Sequence, residues 1–577
     1  MVFAGFGLAF VAAPAIGAQD WVANSDEYTR VRLETDARFQ PENASRTGLD
    51  GYDDKVMDMS PGFDERYEKA LRKVLAEHEK ALKSEKNPQV RQDLQILIDD
   101  AKQTLEIQDL YEKHLIDYYN LPQSIFYSLR SLLDPQVDAS RHPAALVRLR
   151  KYTGMEEGFK PVFEHGKRET AKDLKNRKLL GPYIKELEND LDNMQRFVGG
   201  VRELFANSDV EGWEPAVAEF EKQANDYAEW LKENLLPRAR TESRLPPEIY
   251  AANLKAFGTT MDPQELISRA TSGFMDIRIE MEAIARRIAE ERGMKSADYR
   301  DVIRELKKDQ FTSENIMPAY RKRLEEIEAI IRENDIVTLP EREALIRLAS
   351  EAESAAQPAP NMQPPRMIGN TGEQGTFVLP LNNPNADSGE TMDDFLNDAM
   401  AWTLTVHEAR PGHEMQFAKM VENGVSQARM LYAFNSANAE GWGLYAEAIM
   451  LPYLPPEGQL MSLQMRLMRA ARAFLDPMVN LGMVEYDKVH EFLMKEVVLS
   501  EPMATQEADR YTYRAPGQAT AYYFGHLKMQ ELRAKTELAL GNKFNQKEFH
   551  DFILSQGMLP PDLMAKAVEQ EFVQPQL

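Results

Sequence analysis

Most of the 577-residue chain consists of long runs in which apolar residues recur at helical spacing and charged residues fill the positions between them. Apolar residues three and four positions apart form one face of an α-helix, whereas half-buried strands need strict alternation. Runs of strand-forming residues are scarce. The pattern predicts a large, mainly α body, with the clearest helices at residues 62–118, 169–205, 215–235, 262–292 and 319–334.

A change in composition divides the chain at residues 351–373. Alanine, glutamine and glycine cluster there around four prolines between residues 358 and 365, and closely spaced prolines interrupt regular secondary structure. We therefore predict a linker at 351–373, between an N-terminal helical half at 19–350 and a C-terminal half at 374–577 that carries the motifs described below.

The first 18 residues are apolar and uncharged, and they end in the small residues Ala15-Ile-Gly-Ala18. This pattern predicts a signal peptide at residues 1–18, cleaved after Ala18, although the first positive side chain is Arg30. Pro14 within the stretch disfavours a transmembrane helix. The sequence contains no cysteine, so neither a disulfide nor a lipid-attachment cysteine is expected in it. We expect a periplasmic or secreted protein.

The segment His407-Glu-Ala-Arg-Pro-Gly-His413 is the strongest chemical signal in the chain. His-Glu pairs also begin at His78 and His490, but only His407 has a second histidine close behind it. The pair at His78 lies in a charged run that is typical of a solvated helix face. In contrast, His407 follows an apolar, uncharged stretch at 399–406. A buried imidazole needs a polar partner, and a metal ion is one candidate.

Two imidazoles with nearby carboxylates supply what a catalytic zinc site requires, namely three protein ligands, an open position and a base. Glu408 follows the first histidine, and Glu440 lies 27 residues after the second. Glu447, two helical turns beyond Glu440, and Gln416 are expected to support the ligands from behind. The residues therefore favour a Zn²⁺ site, with a purely structural helix kink as the alternative.

The six-residue spacing of the two histidines does not suit a regular helix. Six residues at about 100° each place His413 roughly 240° around the helix axis from His407. Proline disfavours the helical conformation for the residue before it, and glycine tolerates unusual dihedral angles. We therefore predict that the helix breaks or bulges at Pro411 and Gly412 and brings His413 back toward His407.

Two blocks of the sequence, HEARPGHEMQ and AEGWGLYAE, resemble the signature segments of the bacterial family known as domain of unknown function 885, and the likeness extends over nearly the whole chain. Members of that family resemble zincin peptidases such as thimet oligopeptidase, angiotensin-converting enzyme and the thermostable carboxypeptidases. The resemblance implies a large helical zincin-like body with a deep cleft and a small β element near the metal helix. It also implies three zinc ligands, His407, His413 and Glu440, with Glu408 as the general base. The family usually has a histidine where this chain has Asn480.

Zincins of this group place a tyrosine or a histidine over the scissile carbonyl, where its donor stabilises the developing oxyanion. By this resemblance Tyr522 is the first candidate in the chain, with His526 and Tyr523 behind it. The alternative is that these aromatic side chains pack in the core, which we favour for Tyr523.

Residues 375–380, Gly-Thr-Phe-Val-Leu-Pro, predict an edge strand just before the metal helix. By analogy with zincins, such a strand would pair with the extended backbone of a substrate. A short hairpin that only covers the core is the alternative.

Three arginines, Arg466, Arg469 and Arg472, lie three residues apart on one predicted helix. Such a patch can hold a substrate carboxylate. Ion pairs with Asp476 or Glu447 are the alternative, and we expect a structural role for at least two of the three.

The formal net charge of −24 argues against nucleic acid and against an anionic membrane as partners, because both require concentrated lysine and arginine. Our interpretation is a zinc-dependent hydrolase that cleaves amide bonds of short peptides with a metal-bound water activated by Glu408. Two alternatives stay open, a zinc amidase acting on a non-peptide or cell-wall amide and a non-catalytic helical binding protein.

Overall fold

The structure is a computed structural model that describes residues 19–381 and 392–577. Helices predominate throughout these residues, and the strands form one small sheet, which confirms the mainly α fold class. The predicted signal peptide at 1–18 lies outside the described residues. None of the helices between residues 19 and 577 that the structure describes has the length and apolar character needed to cross a membrane.

The first thirteen α-helices precede the sheet: α1 (Gln19–Phe39), α2 (Pro41–Thr47), α3 (Phe63–Ser84), α4 (Pro88–His114), α5 (Leu121–Leu133), α6 (Pro143–Tyr152), α7 (Val162–Asp173), α8 (Ile184–Ala206), α9 (Glu214–Asn234), α10 (Pro247–Ala256), α11 (Pro263–Glu291), α12 (Tyr299–Leu306) and α13 (Ile316–Glu333). The long run predicted at 62–118 is two helices, because the Asn87 side chain accepts hydrogen bonds from the first turn of α4 and Pro88 occupies its first position.

The second part of the chain adds ten α-helices within its described residues: α14 (Glu351–Ala356), α15 (Asp398–Leu404), α16 (His413–Asn423), α17 (Ser436–Met450), α18 (Pro456–Asn480), α19 (Tyr486–Phe492), α20 (Glu501–Asp509), α21 (Thr520–Leu540), α22 (Gln546–Ser555) and α23 (Pro561–Ala567). Helix α18 is buried along nearly its whole length and packs against α11, α15 and α21. It is the central helix of the largest core, which draws apolar residues from both sides of the predicted linker.

The small sheet has three strands, β1 (Leu345–Leu348), β2 (Asn361–Gln363) and β3 (Thr376–Leu379), in the order β1-β3-β2. The prediction of β3 as an edge strand was wrong, because β3 pairs in parallel with β1 and antiparallel with β2. All four of its residues are buried, as expected for a strand that is covered on both faces. Strands β1 and β2 are therefore the two outer strands of the sheet.

The predicted linker at 351–373 contains both α14 and β2. Ala352 of α14 packs in the core formed by α5 to α9, and β2 joins the sheet through β3. The division of the chain into two halves stays a prediction, and the structure shows that regular, packed secondary structure connects them.

A buried carboxylate, Asp93 of α4, also ties the first helices to the second part of the chain. It accepts hydrogen bonds from Ser25 Oγ of α1 at 2.6 Å, from Ser426 Oγ at 2.6 Å and from Arg429 Nε at 2.8 Å. Removing one partner of a buried pair leaves an uncompensated charge, so this cluster fixes how α1 and α4 lie against residues 426–429.

Candidate metal centre

The chain between the two histidines is not a regular helix. After α15, residues Thr405–Ala409 form one π-helical turn, which includes His407. Arg410 then adopts an extended conformation with φ −128° and ψ 134°, the Arg410–Pro411 peptide bond is cis, and α16 begins at His413. The predicted break is present, and it begins with the π-helical turn before the proline.

Two contacts hold this break in place. A Cβ atom at Gly412 would lie 1.9 Å from the carbonyl oxygen of His407, so only glycine permits the chain to fold back this closely. The indole of Trp442, on α17, donates a hydrogen bond of 2.8 Å to the carbonyl oxygen of Pro411. The loop is thereby fastened to the helix that carries the downstream carboxylates.

The two imidazoles and Glu440 converge on one point. Oε2 of Glu440 lies 3.4 Å from His407 Nε2 and 3.3 Å from His413 Nε2. One ligand atom from each of the three residues lies within 4.8 Å of the other two. Oε2 of Glu440 is buried and has no hydrogen-bond partner among the described residues. Two nitrogens and one carboxylate oxygen in this arrangement fit the ligand set of a catalytic zinc ion.

The imidazole of His407 is positioned from two sides by α17. Its Nδ1 lies 2.7 Å from Glu447 Oε1, the supporting contact predicted for Glu447. On the other side, a Cβ atom at Gly443 would lie 2.6 to 3.0 Å from three atoms of the ring. Gln416 was also expected to support the ligands, but its Nε2 donates a hydrogen bond of 2.8 Å to Asn438 Oδ1.

The electrostatics of the site favour a positive charge at its centre. Burial opposes protonation of His407, but the carboxylates of Glu440 and Glu447 outweigh it and raise the pKa of His407 to about 9. Burial likewise acts to raise the pKa of Glu440, yet its close contacts with the imidazoles of His407 and His413 hold that pKa well below the usual range. Burial raises the pKa of Glu408, with a partial offset from the two histidines. A metal cation among these groups would supply the positive charge that protons on the imidazoles otherwise provide.

The three candidate ligands and Glu408 line a cavity of about 290 Å³. Six residues between Gln357 and Pro364, which include Asn361 and Met362 of β2, form part of its wall, and Arg469, Arg472, Arg510 and Tyr522 form another part. Strands β2 and β3 also contact the π-helical turn of His407, so the small β element lies beside the helical segment that carries this histidine, as predicted. The remaining wall is largely apolar and includes Phe395, Leu404, Phe417, Phe434, Met465, Met468 and Met503.

Of the three candidates predicted to assist at the carbonyl, the structure brings only Tyr522 to the cavity wall. Its hydroxyl lies 3.3 Å from Arg510 Nη1, and the guanidinium of Arg472 lies 4.4 Å from the centre of its ring. His526 is buried away from the cavity wall, where its Nε2 lies 3.0 Å from Gln530 Nε2 and burial lowers its pKa to about 3. Tyr523 packs in the core, as favoured from the sequence.

Of the two carboxylates expected as partners of the arginines, Glu447 forms an ion pair with Arg469 at 3.8 Å, whereas Asp476 is not the partner of Arg472. Arg472 binds Glu507 through two hydrogen bonds of 2.6 and 2.7 Å and not Asp476. Asp476 accepts hydrogen bonds from Tyr250 and from the backbone of Gly517 instead. Sequence reasoning missed Glu507 as the counter-ion because it lies 35 residues away, with no local spacing to connect the two.

Two further residues lie elsewhere than their sequence context suggested. Asn480 is outside the cavity wall and donates hydrogen bonds to the carbonyl oxygens of Asp476 and Tyr511, at 2.9 and 3.0 Å. Its departure from the family pattern therefore falls outside the candidate site. The prediction of a solvated His78 was wrong, because the residue is 1% exposed and its Nε2 lies 3.1 Å from the Tyr28 carbonyl oxygen.

Because Gly443 packs against the His407 ring, we predict that Gly443→Ala moves the imidazole and weakens zinc binding by about tenfold or more. The measurement is a zinc dissociation constant from competition with a chelator of known affinity. Gly199→Ala in α8 is the matched control, because nothing lies within 4 Å of a Cβ atom at that position. Equal zinc affinity in both folded variants would contradict the packing of His407 against α17.

Comparison with solved structures shows where this fold occurs. The "putative lipoprotein" from Colwellia psychrerythraea has a TM-score of 0.76 and 18% identity, over 94% of this chain and 98% of that one. The "putative lipoprotein of unknown function" from Shewanella oneidensis has a TM-score of 0.70 and 18% identity, over 96% of this chain and 100% of that one. At this identity the likeness concerns the fold alone.

The sequence comparisons give a family but no characterised relative. No curated protein matches the chain. The family described as "Bacterial protein of unknown function (DUF885)" matches residues 41–568, which is nearly the whole of the part that the structure describes. The chain therefore belongs to the bacterial DUF885 family.

Proposed function

We propose that the protein is a zincin-like, zinc-dependent hydrolase that cleaves amide bonds of short peptides. The observation that carries this proposal is the convergence of His407, His413 and Glu440 on one point at the wall of a cavity that Glu408 also lines. Two imidazoles, one carboxylate and an adjacent carboxylate base at a cavity surface are one of the sets of groups that hydrolytic zinc sites use.

In this proposal His407, His413 and Glu440 would hold the zinc ion, which would supply Lewis-acid chemistry at the site. Glu408 accepts a proton from the attacking water as the water oxygen bonds to the carbonyl carbon. The same carboxyl then delivers that proton to the amide nitrogen while the C–N bond breaks. The products are a carboxylic acid and an amine, and Glu408 returns to its starting state.

Tyr522 is the residue that we assign to the developing oxyanion. Tyr522 lines the cavity, Arg510 contacts its hydroxyl and Arg472 lies over its ring face. A single preorganised donor of this kind contributes about 3 kcal/mol to transition-state stabilisation. His526 has no part in the proposed reaction, since it lies behind the wall.

The size of the cavity and the free edge of the sheet support short peptides as substrates. A cavity of about 290 Å³ is at the small end of ligand pockets, so it admits only a few residues of an extended chain. Strand β2, and not β3 as predicted, is the strand with a free edge on this side, and its residues Asn361 and Met362 line the cavity. We propose that the substrate backbone pairs with β2.

We also propose a periplasmic or secreted location. The apolar segment at residues 1–18 and the names of the two similar structures, both "putative lipoprotein", support export from the cytoplasm. Recovery of the protein only in the cytoplasmic fraction of its host would contradict this location.

The role of Glu408 can be separated from those of the ligands. We predict that the purified protein carries about one zinc ion per chain and cleaves a mixed short-peptide library. His413→Ala should lose both metal and cleavage. Glu408→Gln should keep the metal and lose about 10²- to 10⁴-fold in kcat, because a general base acts on the water and not on the ion. Elemental analysis and mass spectrometry of the digest give the two readings.

The chain provides its own matched controls in the pair His490 and Glu491, which lies outside the cavity wall. His490→Ala and Glu491→Gln should retain metal and activity. Full metal occupancy in His413→Ala would overturn the ligand assignment, and near-normal rates in Glu408→Gln would overturn the mechanism. A metal-loaded protein that cleaves no peptide would favour the amidase, and a protein that binds no metal would favour the binding protein.

A further inference from the structure

We propose that Arg469 and Arg510 form a subsite for the free C-terminal carboxylate of the substrate, so that the enzyme acts near the C-terminal end of peptides. The cleavage part of this inference rests on the proposed function. The subsite itself is a property of the cavity wall and can be measured by binding alone.

Arg469 is a buried cation whose hydrogen bonds are largely unused. It belongs to α18, is 5% exposed, and lines the cavity. Its Nε and Nη1 atoms are buried and have no hydrogen-bond partner among the described residues. Its Nη2 atom is 3.8 Å from Glu447 Oε1, beyond hydrogen-bond distance. A guanidinium has five donors in a planar fork, and burying them without acceptors is costly, so this side chain is set up for an anionic ligand.

Arg510 is the first residue of the π-helical turn Arg510–Arg514. Its guanidinium is also only weakly hydrogen-bonded. Its Nη1 makes two long contacts, 3.3 Å to the hydroxyl of Tyr522 and 3.5 Å to Gln518 Oε1. Its Nε is 3.9 Å from Glu507. The neighbouring Arg472 differs, because it already holds Glu507 through two short hydrogen bonds. Arg469 and Arg510 therefore keep donors for a ligand, and Arg472 positions Glu507 and Tyr522.

The charges of the cavity wall favour an anionic ligand beside Arg469. The wall carries three arginines, Arg469, Arg472 and Arg510. Glu507 pairs with Arg472 and lies 3.9 Å from Arg510, whereas Glu447, which is 3.8 Å from Arg469, already contacts His407 Nδ1 at 2.7 Å. A carboxylate accepts two parallel hydrogen bonds from a guanidinium, and a substrate amino group would be repelled.

The side chains beside Arg469 define what accompanies the carboxylate. Met465, Met468, Arg469 and Arg472 occupy successive turns on one face of α18 and all line the cavity. Met503 lines the same cavity. A ligand whose carboxylate meets Arg469 therefore places its neighbouring side chain against methionine, which adapts to apolar groups of different shape. The substrate class that fits is a short peptide with a free C-terminal carboxylate and an apolar C-terminal residue.

The test compares two forms of one peptide sequence that differ only in the C-terminal group. The tetrapeptide Ala-Ala-Ala-Leu, as free acid and as C-terminal amide, is titrated calorimetrically into the full-length Glu408→Gln variant, which retains the cavity and for which we predict turnover about 10²- to 10⁴-fold slower. We expect the amide to bind about 10- to 100-fold more weakly, because it lacks the charge-assisted hydrogen bonds to arginine. Acetylation of the peptide N-terminus should change the affinity little. Equal affinity of acid and amide, or binding of neither, would overturn the subsite.

Single substitutions locate the effect. Arg510→Gln, in the same background, should weaken the free acid about tenfold and leave the amide nearly unchanged. Arg514→Gln is the matched control, because Arg514 is exposed on the same turn and does not line the cavity; it should alter neither peptide. Equal weakening of both peptides by Arg510→Gln would overturn the assignment.

The Arg469→Lys substitution keeps the charge beside Glu447 but removes the fork, and we expect it to reduce the preference for acid over amide while the protein stays folded. An unchanged preference would remove Arg469 from the subsite. Cleavage by the wild-type protein is read separately. If the acid binds preferentially but no peptide is cleaved, the subsite stands and the proposed function fails.

Discussion

The approach of two imidazoles to one carboxylate oxygen, Oε2 of Glu440, is the contact on which the arrangement of the site depends. The six-residue spacing would place His407 and His413 on different faces of a regular helix. The π-helical turn and the glycine at position 412 change the direction of the chain between them. Helix α17 then supplies both Glu440 and the glycine surface against which the ring of His407 packs.

The glycines of α17 extend this constraint into the rest of the fold. A Cβ atom at Gly441 would lie within 3 Å of the backbone of Gly525 on α21, and one at Gly525 would lie 2.0 Å from the carbonyl oxygen of Ala437. The two helices are therefore packed backbone to backbone. As a result Glu440 on α17 and Tyr522 on α21 reach the same cavity, and the buried charges continue from His407 through Glu447 to Arg469. The candidate metal site and the arginine wall are one electrostatic unit.

Features that depend on local sequence were predicted well. The amphipathic runs formed helices, although the runs at 62–118 and 169–205 are each divided between two helices. The break after His407 followed from the helix angle and from Pro411 and Gly412. Glu447 was placed behind the site because it shares a helix face with Glu440. These arguments need only the geometry of one helix or one turn.

Features that depend on distant contacts were not predictable in this way. The four apolar residues of β3 indicate a strand but not its neighbours, so its central position was missed. His526 follows Tyr522 by one turn on the same face, yet about 6 Å along the axis is enough to take it beyond the cavity. The burial of His78 and the pairing of Arg472 with Glu507 also depend on packing between helices, which no spacing within one helix reveals.

Anomalous diffraction at the zinc absorption edge, from crystals grown with zinc, tests the central claim most directly. The account predicts one strong peak about 2.0 to 2.2 Å from His407 Nε2, His413 Nε2 and a carboxylate oxygen of Glu440. A well-ordered site without this peak, with the two histidines and Glu440 held only by contacts among themselves, would contradict it.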